Sequence, residues 1–314
     1  MRPVDLSLVL ILLLVGCAKS PLLPPEASRL PERVELDDVP FFAQEDYQCG
    51  PAALATLLVH RGIPTSPEQL KDKVYLPGRQ GSLQVELVAA ARAREQLVYP
   101  LEPKLERILE EVAAGNPVLV MQNLAFDWWP QWHFAVVVGY DRAAQTLLLR
   151  SGATRRKETR LVAFLRTWQR AGRWAVVTVS PDQLPASAQL LPWLQAASDL
   201  EETGHGAAAQ RAYHAATQAW PKRALPWFAL GNGLHVAGDS RGGEQALVRS
   251  VQLEPGFAAG WFNLSEVLAG RGCMKAARQA RRCASRLAPG DARFSAALPS
   301  GQEVERCVAL PACS

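Results

Sequence analysis

Two side chains that could together break an amide bond stand out in the sequence. One is the cysteine in Gln44 to Leu57, which reads Q-E-D-Y-Q-C-G-P-A-A-L-A-T-L; the other is His133, which opens His133-Phe134-Ala135-Val136-Val137-Val138 directly after Trp128-Trp129-Pro130-Gln131-Trp132. Cys49 lies between an acidic, turn-like segment and an alanine-rich apolar run, so it belongs at or just before the first turn of a helix. Unpaired N–H groups and partial positive charge gather there, and they are expected to lower the thiol pKa and raise the thiolate fraction. Pro51 suits a first helical turn, where its missing N–H costs nothing, and Gly50 permits close packing. A small buried cysteine beside a Pro-initiated core helix would have the same local sequence. The tie is broken by His133, which sits at a strand start among aromatics that can exclude water and line a groove. His60, His205, His214 and His235 all fall in helical stretches.

The elements that must position these groups divide the chain. The Cys49 helix is expected to run to about Arg61 and stop at Gly62. Ser66-Pro67-Glu68-Gln69 forms a capping box that opens a second helix, and Gly81-Ser82 precedes a third, with Leu83, Leu87, Val88 and Ala91 on one face. Leu97 to Tyr99 reads as a short strand, and Leu105, Ile108, Leu109 and Val112 as an amphipathic helix closed by Gly115-Asn116. After Pro117 the pattern changes to short apolar runs at Val118–Met121, Phe134–Val138, Thr146–Leu149 and Ala175–Val179. These are strands of one largely antiparallel sheet, with a helix from about Leu161 to Arg170 between the last two. A helical half joined to a sheet half is an α+β arrangement, and it meets at a cleft.

Q-x4-C-G-P-A-A-L, followed by W-H-F-A-V-V-V-G-Y-D and a hairpin strand ending L-L-R-S-G, resembles the papain-like cysteine peptidases related to the bacteriocin double-glycine leader peptidase family. The likeness covers about Val39 to Ser180. It implies a papain-like fold in which Cys49 is the nucleophile, His133 the base, and Gln44 the side-chain donor to the oxyanion beside the Cys49 N–H. Gln48 competes for the Gln44 role, but its adjacency to Cys49 makes convergence on one oxygen harder. The family places an Asp or Asn on the strand after the histidine strand, where this chain has Arg150-Ser151-Gly152. Asp141 lies about 26 Å along an extended strand from His133, which leaves Ser151 or a backbone carbonyl to orient the ring.

The N-terminus sets the expected compartment. Arg2 precedes the apolar run Leu6–Val15, which at about ten residues fits a signal-peptide core better than a membrane span. It ends in Leu14-Val15-Gly16-Cys17, which resembles the bacterial lipobox. The resemblance implies cleavage before Cys17 and acylation of that residue. Ala18 at the next position is similar to lipoproteins sent to the outer membrane, facing the periplasm. Residues 17–36, rich in proline, read as a tether. Residues 37–181 are the expected peptidase domain.

Beyond Pro181, Trp193, Trp227 and Trp261 are spaced by 34, as are Gly204, Gly238 and Gly272, and Pro221, Pro255 and Pro289. Three registers sharing one period resemble the tetratricopeptide repeat, which implies three helix pairs over 190–290 with the tryptophans in the core and a surface for a protein partner. Residues 291–314 form a tail. Cys273, Cys283, Cys307 and Cys313 are an even set suited to disulfides in an oxidising compartment, with three connectivities open; their spacing matches no common zinc finger. A net charge of +4 with dispersed Lys and Arg gives no nucleic-acid footprint.

The expectation is therefore a lipid-anchored extracytoplasmic cysteine peptidase that needs no cofactor or metal and acts on a peptide or protein. A weak or inactive peptide-binding scaffold and a cell-wall amidase are the alternatives. The amidase would require a second histidine after His133 in the sheet half, and none is present.

Overall fold

The structure is a computed structural model that describes residues 28–43, 48–298 and 307–313. Its first part is one antiparallel sheet: β1 Arg33–Glu35, β2 Leu97–Pro100, β3 Val118–Asn123, β4 Trp132–Asp141, β5 Thr146–Ser151, β6 Thr154–Arg160 and β7 Ala175–Val179. The order is β2-β7-β3-β4-β5-β6, and β1 pairs with the far end of β4, Arg33 opposite Asp141. Five helices flank it: α1 Cys49–His60, α2 Pro67–Val74, α3 Gln84–Arg92, α4 Leu105–Ala113 and α5 Leu161–Arg170.

β4 explains why the central run lacks polar alternation. Phe134, Val136 and Val138 enter a core with Leu54, Leu57 and Leu58 of α1 and Leu70 of α2. Ala135 and Val137 enter the opposite core with Ile108 and Leu109 of α4 and Phe164 and Trp168 of α5. Both faces are covered, so both sets of alternating side chains are apolar. The capping signal read at Ser66 is present: its Oγ accepts from the Gln69 N–H at 3.3 Å.

Two local features depart from the sequence reading. Ahead of Cys49, Val39–Phe42 is irregular, with Val39 buried. The strand on that side is β1, which lies inside the stretch read as tether. β6, Thr-Arg-Arg-Lys-Glu-Thr-Arg, is an additional strand at the sheet edge with all but one residue exposed. An edge strand open to water needs no apolar alternation and is protected by charge.

The second part is all-α. It comprises α6 Leu190–Glu202, α7 Gly206–Ala219, α8 Ala224–Val236, α9 Ser240–Leu253, α10 Ala258–Gly270 and α11 Met274–Leu287, followed by the short α12 Ala292–Ser295. These six long helices make a repeat solenoid of three pairs. Gly204, Gly238 and Gly272 close the first helix of each pair with φ of +88°, +92° and +78°, left-handed values that favour glycine. Trp261 Nε1 donates to Pro255 O at 2.8 Å and Trp227 Nε1 to Pro221 O at 3.1 Å, the same contact one period apart. Trp193 instead donates to Ala212 O. Trp193 and Trp261 are fully buried, but Trp227, expected in the core, is only half-buried. Cys273 pairs with Cys307 and Cys283 with Cys313, fastening the end of the chain to α11 and the turn before it.

The two parts share a core that runs from Trp168 and Tyr99 to Trp193 and Ala197. Buried Glu111 of α4 bridges the junction. It accepts from Ser187 N–H at 2.7 Å, Ser187 Oγ at 2.5 Å, Ala186 N–H at 3.2 Å and Asn116 Nδ2 at 2.7 Å. Among the described residues, no helix is long and apolar enough to cross a membrane.

Candidate active site

Cys49 is the first residue of α1, with Gln48 at the cap position, Pro51 in the first turn and no side-chain cap bond. The helix must begin tightly here. A Cβ on Gly50 would stand 2.2 Å from Ser82 Oγ and 2.5 Å from Ser82 Cβ, so only glycine lets the segment before α3 cross this point. Cys49 is half-buried and free of any disulfide. Its sulfur meets three backbone N–H groups, those of Phe134, Gly50 and Cys49 itself, which favour the thiolate; burial opposes them and is the larger effect, so the thiol pKa is raised. The thiolate expected from the helix N-terminus is thereby corrected. A few oriented N–H groups do not replace the water that packing removes.

The Phe134 contact fixes where the thiol lies. It meets β4 at the residue after His133. His133 Nε2 and Ser151 Oγ are 2.8 Å apart. β5 supplies Ser151 from its last position, buried in the sheet. In the tautomer whose Nε2–H donates to Ser151 Oγ, Nδ1 keeps a free lone pair, as a base requires. Burial, followed by the nearby Lys157 charge, lowers the His133 pKa to about 4. Thiol and imidazole are thus both uncharged in the resting protein at neutral pH.

The structure brings His133 and Ser151 together and sets Cys49 against Phe134, the next residue of β4. Asp141 is elsewhere, at the β1 end of β4, with its Oδ1 accepting from the Ala144 N–H. His60 Nε2 faces Gly115 O at the opposite end of α1 from Cys49. Gln44 and Cys17 lie outside the described residues.

Two further contributors carry little or no signal in the sequence pattern. Lys157 sits in the polar strand β6, and nothing in Arg-Arg-Lys-Glu marks it as a neighbour of His133. Arg150, directly before Ser151, is buried and donates to the carbonyls of Leu36, Val39 and Arg155 at 2.8–3.2 Å. It ties the segment leading toward Cys49 to the same strand end that holds His133. Its sole sequence signal is a charged residue inside an apolar strand run.

A thiol at a helix start, an imidazole on an antiparallel sheet and a hydroxyl holding the ring are the parts of a thiol hydrolase. Residues 36–176 match the Peptidase_C39 like family, a region that contains Cys49, His133 and Ser151. A solved structure described as a C39-like peptidase from Bacillus anthracis is similar over 48% of this chain and 98% of its own, at 20% identity and a TM-score of 0.40. No curated protein matches the chain.

Proposed function

We propose that this protein is a cysteine peptidase in which Cys49 attacks a peptide carbonyl and His133 moves the proton. The observation that carries the reading is the convergence at one end of β4. The Cys49 sulfur rests on the N–H after His133, and the outer nitrogen of that ring is held by Ser151. Because both partners rest uncharged, His133 Nδ1 takes the thiol proton as the sulfur bonds to the carbonyl carbon, rather than beforehand. The oxyanion is received by the Cys49 N–H and the Gln44 side chain. As the C–N bond breaks, Nδ1–H protonates the departing amine. A water, deprotonated by His133, then attacks the thioester, releasing the acid and returning the proton to sulfur. Ser151 holds the ring without carrying charge, which makes it a positioning residue.

In this reading acylated Cys17 anchors the protein in the bacterial cell envelope, at the outer membrane facing the periplasm. The helix pairs, taken as tetratricopeptide repeats, bind a protein partner or deliver the substrate. Turnover of a peptide library by the mature chain and by Cys49→Ala tests the activity. The wild type is expected to cleave a subset of peptides and the variant none. Equal cleavage by both would refute the assignment.

A further inference from the structure

The loop between β3 and β4 and the first residue of β4 present four large aromatics to solvent: Phe126 is 63% exposed, Trp128 78%, Trp129 71% and Trp132 52%. Such a patch costs free energy in water and marks a contact surface. The loop is held rigidly. Asn123, itself buried, accepts on Oδ1 from the Ala125 and Gln131 N–H groups at 3.1 and 2.9 Å and donates from Nδ2 to Phe126 O at 3.2 Å. Leu124 N–H donates to Gln131 O, Trp129 N–H to Phe126 O, and Arg170 of α5 to Asn123 O at 2.9 Å. Phe126 and Trp128 stack at 5.5 Å, with Trp129 edge-on to Trp128 at 6.4 Å. The rings are therefore fixed outward.

We propose that this loop docks the active-site end of the protein on an anionic bilayer surface. Three observations select a bilayer over a peptide. The tip rings stand out of the surface, and the cavity beside them is lined by Asp127, Arg166, Gln169 and Arg170 and by none of the rings. Tryptophan, with an apolar body and an N–H, suits the headgroup boundary. The charges at this end are mainly positive: Arg166 and Arg170 behind the loop and Lys157 near His133, against Asp127 within the loop. Cations facing an anionic leaflet are attracted to it.

The chain's reach allows this geometry. β1 joins β4 at its Asp141 end, and β4 spans ten residues, or about 30 Å at ~3.3 Å per residue. The eleven residues from Cys17 to Ser28, where a turn packs Leu30 on the core, have a contour of at most about 34 Å at ~3.1 Å per residue. A lipid at Cys17 and the loop at the other end of β4 can therefore meet one membrane. The inference draws on the lipid-anchor reading for proximity, whereas its test does not depend on acylation.

The test is co-sedimentation of the unlipidated chain from residue 17 onward, which keeps every described residue, with vesicles of phosphatidylcholine alone or mixed with phosphatidylglycerol. The wild type is expected to bind the mixed vesicles more tightly. Trp128→Ala/Trp129→Ala is expected to lose about tenfold or more in partition, since two interfacial anchors go, while its thermal unfolding stays unchanged. Absence of vesicle binding by the wild type, or equal binding by the variant, would overturn the proposal. So would intact vesicle binding in a variant that has lost affinity for cleavable peptides, which would make the loop part of the peptide site. Loss of acylation at Cys17 in cells would refute the anchor and leave this measurement standing.

Discussion

Replacing His133 by glutamine should make the protein less sensitive to acid. Burial and Lys157 hold the native imidazole at a pKa of about 4, against 6.5 for the ordinary group. Between those values the unfolded chain binds a proton that the native protein does not, so falling pH favours unfolding. The loss begins near pH 6.5, grows by up to ~1.4 kcal/mol per pH unit and is complete below about pH 4, where the native ring also protonates. The full span is worth about 3 kcal/mol. Glutamine keeps a polar group near Ser151 and removes the titration. Urea unfolding of both proteins, measured from pH 7 down to pH 4, isolates the effect as the change in their stability difference, since His60 and all carboxylates are common to both. The wild type should lose about 3 kcal/mol relative to His133→Gln over that range. A constant difference would refute the buried neutral imidazole. A wild type that gains relative stability as pH falls would mean a raised His133 pKa and a resting thiolate–imidazolium pair.

Other consequences are accessible by single changes. Ser151→Ala removes a neutral hydrogen bond worth about 1 kcal/mol and frees the ring to rotate. It should lower kcat/KM roughly five- to tenfold through kcat, and Ser151→Asn should recover part of the loss. Gly50→Ala forces a Cβ onto Ser82 and should cost about 1–3 kcal/mol of stability by thermal unfolding, with Ser82→Gly in the same chain restoring most of it. Glu111→Ala leaves the Ser187 and Ala186 N–H groups without their acceptor at a buried junction. Each group left unsatisfied costs about 1–3 kcal/mol, and hydrogen exchange at 185–189 should accelerate before the rest of α6 opens.

Much of the site could be read from side-chain types because strong local rules fix it. Cys-Gly-Pro followed by alanines and leucines specifies a helix start, and a dense apolar run after His133 specifies a strand covered on both faces. Ser151 could be named as the ring's partner because Asp141 was too far along the strand to compete. The protonation states were not legible in the same way. A helix N-terminus argues for a thiolate, but the raised Cys49 pKa comes from burial in the folded protein, which no local pattern encodes. β6 escaped because an edge strand in water carries no alternation. Lys157 and Arg150 act through pairings that exist only once β4, β5 and β6 are in register. The half-buried Trp227 shows the same limit: a period of 34 places it beside Trp193 and Trp261 in sequence, while actual burial depends on what the neighbouring pair supplies.

The central claim is that Cys49 is a nucleophile served by His133, and intact mass after treatment with an epoxide inhibitor of thiol peptidases tests it most directly. The chain from residue 18 onward should gain one adduct, Cys49→Ala none, and His133→Ala one only at a rate lower by about two orders of magnitude or more, the usual worth of a positioned base. Labelling of folded wild type and His133→Ala at equal rates would contradict the account, as would no adduct on the wild type under reducing conditions.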